Sequence, residues 1–195
     1  AYRYAEKHGP SDKTRKIACK DPEIAYLYAR KIDKGLHENT REAVCKSYVL
    51  AYIYAIDIDN CSHEDTRQAA CKNYKDAYFY ARDIDKCPRD DTRKAECRNP
   101  KFAYRYAYEI DKKHPNVTTR KAVCKDSESA YLYALYVDKK SMDDTRNAVC
   151  KKPKYAHYKR NFCDECSESV RPCIHTIERR LYDRRKVCHR SRRRQ

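Results

Sequence analysis

Residues 77–102 read AYFYARDIDKCPRDDTRKAECRNPKF, and the chain repeats this stretch with variations from end to end. The opening Ala-Tyr-x-Tyr-Ala recurs at Ala1, Ala25, Ala51, Ala103 and Ala130, with a decayed copy at Ala156. From residue 25 onward the starts lie 26 or 27 residues apart. An interval in that range marks a solenoid or array, in which each unit buries its apolar face only by stacking on its neighbours.

One unit, residues 21–46, shows why it should be helical. Asp21 is a plausible N-cap, Pro22 suits the first helical position, and Glu23 falls in the first turn. Ala25, Tyr28, Ala29 and Ile32 follow at i, i+3, i+4 and i+7, a continuous apolar face. Gly35 is expected to break the helix, as Pro88 and Pro115 do near the matching turns. A second, shorter helix then runs from Glu38 to Lys46, with Asn39-Thr40 the residue types that cap a helix start, as in Asp65-Thr66, Asp91-Thr92 and Asp144-Thr145. A helix of about nine residues is marginal alone, so it must be held by its neighbours. The expected fold is therefore all-α, an α-solenoid of six to seven helix-turn-helix repeats of about 26 residues over 1–158, followed by a C-terminal cap over 159–195.

Composition agrees, since only two glycines and no tryptophan occur among abundant Ala, Lys, Arg, Glu and Tyr. No apolar window is long enough for a membrane helix and no signal-peptide pattern opens the chain. Ala1 falls in mid-motif with no capping residue before it, so further sequence upstream is expected, the alternative being removal of an initiating Met. Six of the twelve cysteines, Cys19, Cys45, Cys71, Cys97, Cys124 and Cys150, fall once per repeat at one phase. Stacked helices lie about 10 Å apart, beyond the roughly 7 Å that a disulfide spans, so reduced thiols and a cytoplasmic setting are expected.

Two charged series also recur. Asp33, Asp59, Asp85, Asp111 and Asp138 end the first helices; Arg15, Arg41, Arg67, Arg93, Arg120 and Arg146 open the second ones. A carboxylate ending one helix and a guanidinium opening the next are placed to pair across the hairpin. The alternative is a ladder of Arg and Tyr that stacks on and neutralises a single-stranded nucleic acid, although tyrosines two apart cannot both face a groove. The residue between the tyrosines runs Arg3, Leu27, Ile53, Phe79, Arg105 and Leu132, too apolar for pure solvent, which points to a protein partner or another copy. His8, His37, His63 and His114 fall in turns, where lone histidines are mostly polar surface, and no acid, base or nucleophile cluster suggests an enzyme.

The C-terminal stretch changes chemistry. Cys163 and Cys166 form a Cys-x2-Cys pair; with Cys173 and either Cys188 or His189, and His175 as a substitute, they are the set expected to hold zinc. Unligated thiols in a capping helix, or a disulfide in an exported protein, are the competing readings. Residues 151–195 carry 15 basic and 5 acidic side chains, +10 of the +16 net charge. Arg179, Arg180, Arg184, Arg185, Lys186, Arg190, Arg192, Arg193 and Arg194 are the expected phosphate contacts, against a merely solvated basic tail.

The run Asp90 to Ala95, with Cys97, Arg98 and the Ala103–Ala107 motif, resembles tandem arrays of bacteriophage-encoded proteins built from Ala-Tyr-x-Tyr-Ala, Asp-Lys, Asp-Thr-Arg and Cys-Lys units. The resemblance covers residues 1 to about 155 and implies a viral or bacterial setting, as a virion component or a factor acting on a host partner. It names no activity. The expected function is non-enzymatic binding of nucleic acid or a ribonucleoprotein, with protein–protein interaction or self-assembly into a virion or filament as the alternative; no membrane is involved.

Overall fold

The computed structural model describes residues 1–140 and 142–152, and all regular structure among them is helical. Twelve α-helices follow in order: α1 (Tyr2–His8), α2 (Asp12–Ala18), α3 (Pro22–Tyr28), α4 (Glu38–Val44), α5 (Tyr48–Tyr54), α6 (Glu64–Ala70), α7 (Tyr74–Tyr80), α8 (Asp90–Glu96), α9 (Pro100–Arg105), α10 (Val117–Val123), α11 (Ser127–Tyr133) and α12 (Asp143–Cys150). Odd-numbered helices carry the Ala-Tyr-x-Tyr motif and even-numbered ones the Thr-Arg motif. Sequential helices pack in pairs and each pair packs on the next, which makes a solenoid. The proposed cap lies outside the described residues.

The first helix of each unit starts as the sequence suggests. Asp21 accepts hydrogen bonds from the backbone N–H groups of Glu23 (2.8 Å) and Ile24 (3.1 Å), with Pro22 at the first helical position. Ser47, Asn73, Asn99 and Asp126 cap α5, α7, α9 and α11 in the same way. Its end is different from expectation. Each of α3, α5, α7, α9 and α11 runs on into a π-helical turn, at Ala29–Asp33, Ala55–Asp59, Ala81–Asp85, Tyr106–Ile110 and Ala134–Asp138.

Gly35 does not stop the helix. The left-handed residue that does is the one before it, Lys34 (φ 51°), matched by Asn60 (52°), Lys86 (54°) and Lys139 (55°), with Lys112 and Lys113 (52° and 65°) sharing the role in the fourth turn. A side chain pays about 1–2 kcal/mol for that conformation, so packing, not local preference, sets the turn.

The caps of the second helix also move. Asn39 and Asp65 lie inside the first turn, and the cap is two residues earlier: Nδ1 of His37 accepts from Asn39 N–H, and Nδ1 of His63 from Asp65 N–H, both at 3.3 Å. Ser11 and Asn116 do the same for α2 and α10. These turn histidines are helix caps, which their spacing of two residues before Asn39 and Asp65 could have revealed.

The core is made by the alanines and the second tyrosine. Tyr28, Tyr54, Tyr80, Tyr106 and Tyr133 are fully buried among Ala25, Ala29, Ala51, Ala77, Ala81, Ala103, Ala107 and Ala130. Burying an aromatic side chain of this size contributes about 1.5–3 kcal/mol, provided its hydroxyl is satisfied. A threonine of the preceding helix satisfies it. Thr14 and Tyr28 share a hydrogen bond of 2.7 Å, Thr40 and Tyr54 2.9 Å, Thr66 and Tyr80 2.8 Å, Thr92 and Tyr106 2.9 Å, and Thr119 and Tyr133 3.0 Å. Each tyrosine also accepts from the backbone N–H of the residue that precedes the even-numbered helix, as from Arg89 at 2.9 Å. One polar lock thus holds each even helix from α2 to α10 to the odd helix after it.

Candidate nucleic-acid interface

The residues expected to hold zinc, Cys163, Cys166, Cys173 and Cys188 with His175 and His189, lie outside the described residues, as do Arg179, Arg180, Arg184, Arg185, Lys186, Arg190, Arg192, Arg193 and Arg194. Among the described residues no group of three or more His, Cys, Asp or Glu side chains is placed to hold a metal. Likewise, no described helix is long and apolar enough to cross a membrane.

The Arg series is occupied. Arg15 Nη2 donates to Asp33 Oδ1 (2.8 Å), Arg41 to Asp59 (2.9 Å), Arg93 to Asp111 (2.8 Å) and Arg120 to Asp138 (2.6 Å). The partner is the aspartate of the following odd-numbered helix, not the preceding one, so the clamp joins units instead of closing a hairpin. Antiparallel packing explains this: the start of each even helix lies beside the end of the odd helix that follows it. The aspartates are themselves buried, with no exposed side-chain surface at Asp59 or Asp138.

Arg67 breaks the series. Its Nε donates to Asp91 Oδ2 at 2.7 Å and another of its nitrogens pairs with Glu64. Asp85 is left to the Ser62 hydroxyl at 2.5 Å and to Arg89 at 3.3 Å, with its Oδ2 buried and without a partner, and burial raises its pKa above the usual range.

Both tyrosine series are engaged as well. In three units the first of the pair reaches an acid on the next odd-numbered helix: Tyr26 donates to Asp57 (2.5 Å), Tyr52 to Asp83 (2.8 Å) and Tyr78 to Glu109 (2.5 Å). A repeat-long Arg-Tyr ladder open to a ligand is therefore not what these residues form. Four of the phased thiols are held protonated. Burial pushes Cys45 up to about 11, Cys71 to about 12, and Cys97 and Cys124 to about 11, so they are held as neutral SH groups. Cys45 sits in a groove between α4 and α6 lined by three carboxylates, Glu38, Glu42 and Asp65, with Gln68, Ala69 and a single cation, Lys72, at its edge.

What the repeats do expose is a row of cations that the sequence marks as the Lys or Arg of its Cys-Lys units, where a positive charge suits the end of the second helix. One basic residue follows each phased cysteine: Lys20, Lys46, Lys72, Arg98, Lys125 and Lys151, all exposed. Their backbone takes the same turn each time, the N–H donating to a carbonyl three residues back, as Lys46 to Ala43 (3.3 Å) and Arg98 to Ala95 (3.2 Å). At one step the row is bridged between units. Arg98 Nη1 donates to the carbonyls of Cys71 and Lys72, both at 3.1 Å, so one side chain spans from its own turn to the one before. A positive charge beside the last carbonyls of a helix also suits the helix dipole, which is the structural reason for having one per repeat.

Compared with known proteins, the chain matches no family model, no curated protein and no solved structure.

Proposed function

We propose that this is a non-enzymatic helical-repeat protein that binds nucleic acid or a ribonucleoprotein, the basic C-terminal stretch supplying affinity and the repeats a shaped, charged surface. Charge carries the reading. The chain bears +16 overall, with +10 in residues 151–195 and +6 left for residues 1–150. A charge of this sign and size favours phosphate contacts, which gain free energy by releasing condensed counterions. A cytoplasmic, viral or bacterial setting belongs to the same reading, as does zinc on Cys163, Cys166, Cys173 and Cys188. Elemental analysis of the purified protein tests the last point, with about one zinc per chain expected.

The main test is size and absorbance ratio of protein purified from its source, before and after nuclease, at low and high salt. Co-purified nucleic acid whose digestion shrinks the particle is the expected result. A clean, large particle that resists salt overturns the proposal and favours a self-assembling or protein-binding component, since apolar association survives salt. One observation favours that second reading: Ile24, Leu27, Val49 and Ile56, on adjacent units, are 38–43% exposed, Ile56 at 39% and Leu27 at 38%.

A further inference from the structure

Resting on that nucleic-acid reading, we infer that the partner is a single strand, and that it runs along the edge of the solenoid formed by the turns after each phased cysteine. The row Lys20, Lys46, Lys72, Arg98, Lys125 and Lys151 places one cation per unit there, at the roughly 10 Å pitch of packed helices.

The middle of the row is the strongest. Lys75 and Lys101, in the first turns of α7 and α9, add two exposed cations beside Lys72 and Arg98. The caps interleaved with them are neutral, Ser47, Asn73 and Asn99, whereas Asp21 and Asp126 stand at the same place towards the two ends. Acids stand beside the row too: Asp76 is half-buried in the first turn of α7, and Glu38, Glu42 and Asp65 line the groove that Lys72 borders, so Lys46, Lys75 and Lys101 carry the edge with Lys72 partly offset. None of Lys46, Lys72, Lys75 or Lys101 is held by an ion pair among the described residues, unlike Lys152, which pairs with Asp126 at 3.6 Å. These charges are available to a ligand, in contrast to the clamped arginines of the even helices.

Two features select a single strand over a duplex. A duplex turns each backbone away from the face it presents within half a helical turn, about 17 Å at 3.4 Å per base pair, so cations placed singly at about 10 Å intervals meet one backbone only intermittently unless the row winds with it. A flexible strand can follow every position. The second feature is aromatic: Tyr48 lies two residues after Lys46 and is 41% exposed, and Tyr74 lies two residues after Lys72, edge-on to Phe102 at 4.9 Å. A ring on the surface stacks on an unpaired base, and a base inside a duplex offers it no face.

The test uses the full chain and two quadruple variants that remove equal charge: K46Q/K72Q/K75Q/K101Q on the proposed edge, and K34Q/K86Q/K112Q/K139Q at the opposite ends of the odd helices. Affinity for a single-stranded oligonucleotide and its duplex is measured against salt. Loss of four phosphate contacts flattens the single-strand log–log slope by about 0.7 per contact, close to 3 in all, whereas the opposite-edge variant should change it by less than about 1. Tyr48→Ala should weaken single-strand binding roughly 10-fold with the salt slope unchanged, as loss of one stacked base does. Equal effects of the two quadruple variants, or tighter duplex than single-strand binding by the unaltered chain, overturn this inference and leave the nucleic-acid proposal standing. Failure of the unaltered chain to bind either oligonucleotide at low salt overturns both.

Discussion

Glu96→Val should make the protein more stable, and by an amount that grows with pH. Glu96 ends α8 at the phase where Val44, Val123 and Val149 sit in other units, and it is fully buried with neither carboxylate oxygen hydrogen-bonded. Burial pushes its pKa from 4.5 up to about 9, against a weak opposing pull from Arg105. A carboxyl raised in the folded state holds its proton there while the unfolded chain loses it. Folding therefore takes up a proton between those two values, and stability is lost as pH rises from about 4.5 to about 9. Each pH unit in that window is worth about 1.4 kcal/mol. The wild-type chain should thus lose about 3 kcal/mol between pH 4.5 and 7, and about 6 kcal/mol by pH 9, relative to a variant without the carboxyl. The smaller valine leaves a void, costing about 1 kcal/mol at all pH values, so the gap between variant and wild type should be small near pH 5 and favour the variant by about 2 kcal/mol near pH 7. Urea denaturation of both proteins followed by circular dichroism at about pH 5, 7 and 8.5 measures the gap, other titrations cancelling in the difference. A gap that stays constant to within about 0.5 kcal/mol across that range, or a wild type more stable than the variant near pH 8.5, would refute the buried neutral carboxyl.

The tyrosine lock predicts that Tyr54→Phe, which leaves the His37 N–H without its acceptor and the buried Thr40 hydroxyl with only the His37 carbonyl, costs about 1–3 kcal/mol. Pairing it with Thr40→Val should recover part of that loss in a double-mutant cycle; strict additivity would show that the two side chains do not share a bond. Arg41→Met leaves Asp59 buried without its cation and should cost about 3–5 kcal/mol, while Arg67→Met should cost less because the partly exposed Asp91 and Glu64 can turn to water. Equal losses in chemical denaturation would mean that the clamp contributes nothing beyond side-chain packing. Among the thiols, exposed Cys61 and Cys87 should be alkylated within the native protein, and Cys45, Cys71, Cys97 and Cys124, raised by burial to about 11 or 12, should react much more slowly at neutral pH. Mass spectrometry of peptides from protein labelled before and after denaturation separates the two groups, and uniform labelling of the native state would contradict the shielding of Cys45, Cys71, Cys97 and Cys124, whereas exposed Cys150 should label with Cys61 and Cys87.

How far the sequence reached differs between elements for physical reasons. The odd-numbered helices were readable because capping and amphipathic period are local: Asp21, Pro22, Ala25, Tyr28 and Ala29 specify a start and a face without reference to any other part of the chain. The repeat itself fixed the all-α solenoid, since a unit of 26 or 27 residues with two short helices can bury its face only against copies of itself. Glu96 was missed in the sequence, although register marks it as the one acid in a series otherwise filled by Ala18, Val44, Ala70, Val123 and Val149.

Tertiary structure decided the rest. Nothing local announces the π-helical turns or the left-handed Lys34, Asn60, Lys86 and Lys139, because those conformations cost energy in isolation and persist only where packing compels them. The direction of the Arg–Asp clamp depends on which antiparallel neighbour lies nearer, and 18 residues of separation between Arg15 and Asp33 are settled by packing rather than by helical period. The same holds for the candidate site. Arginines, lysines and tyrosines recur with equal regularity in the sequence, and regularity alone cannot separate a side chain that holds the stack together from one that faces solvent. The fold makes that division: it commits Arg41 to Asp59 and Tyr54 to Thr40, and it leaves Lys46 and Lys72 on the edge.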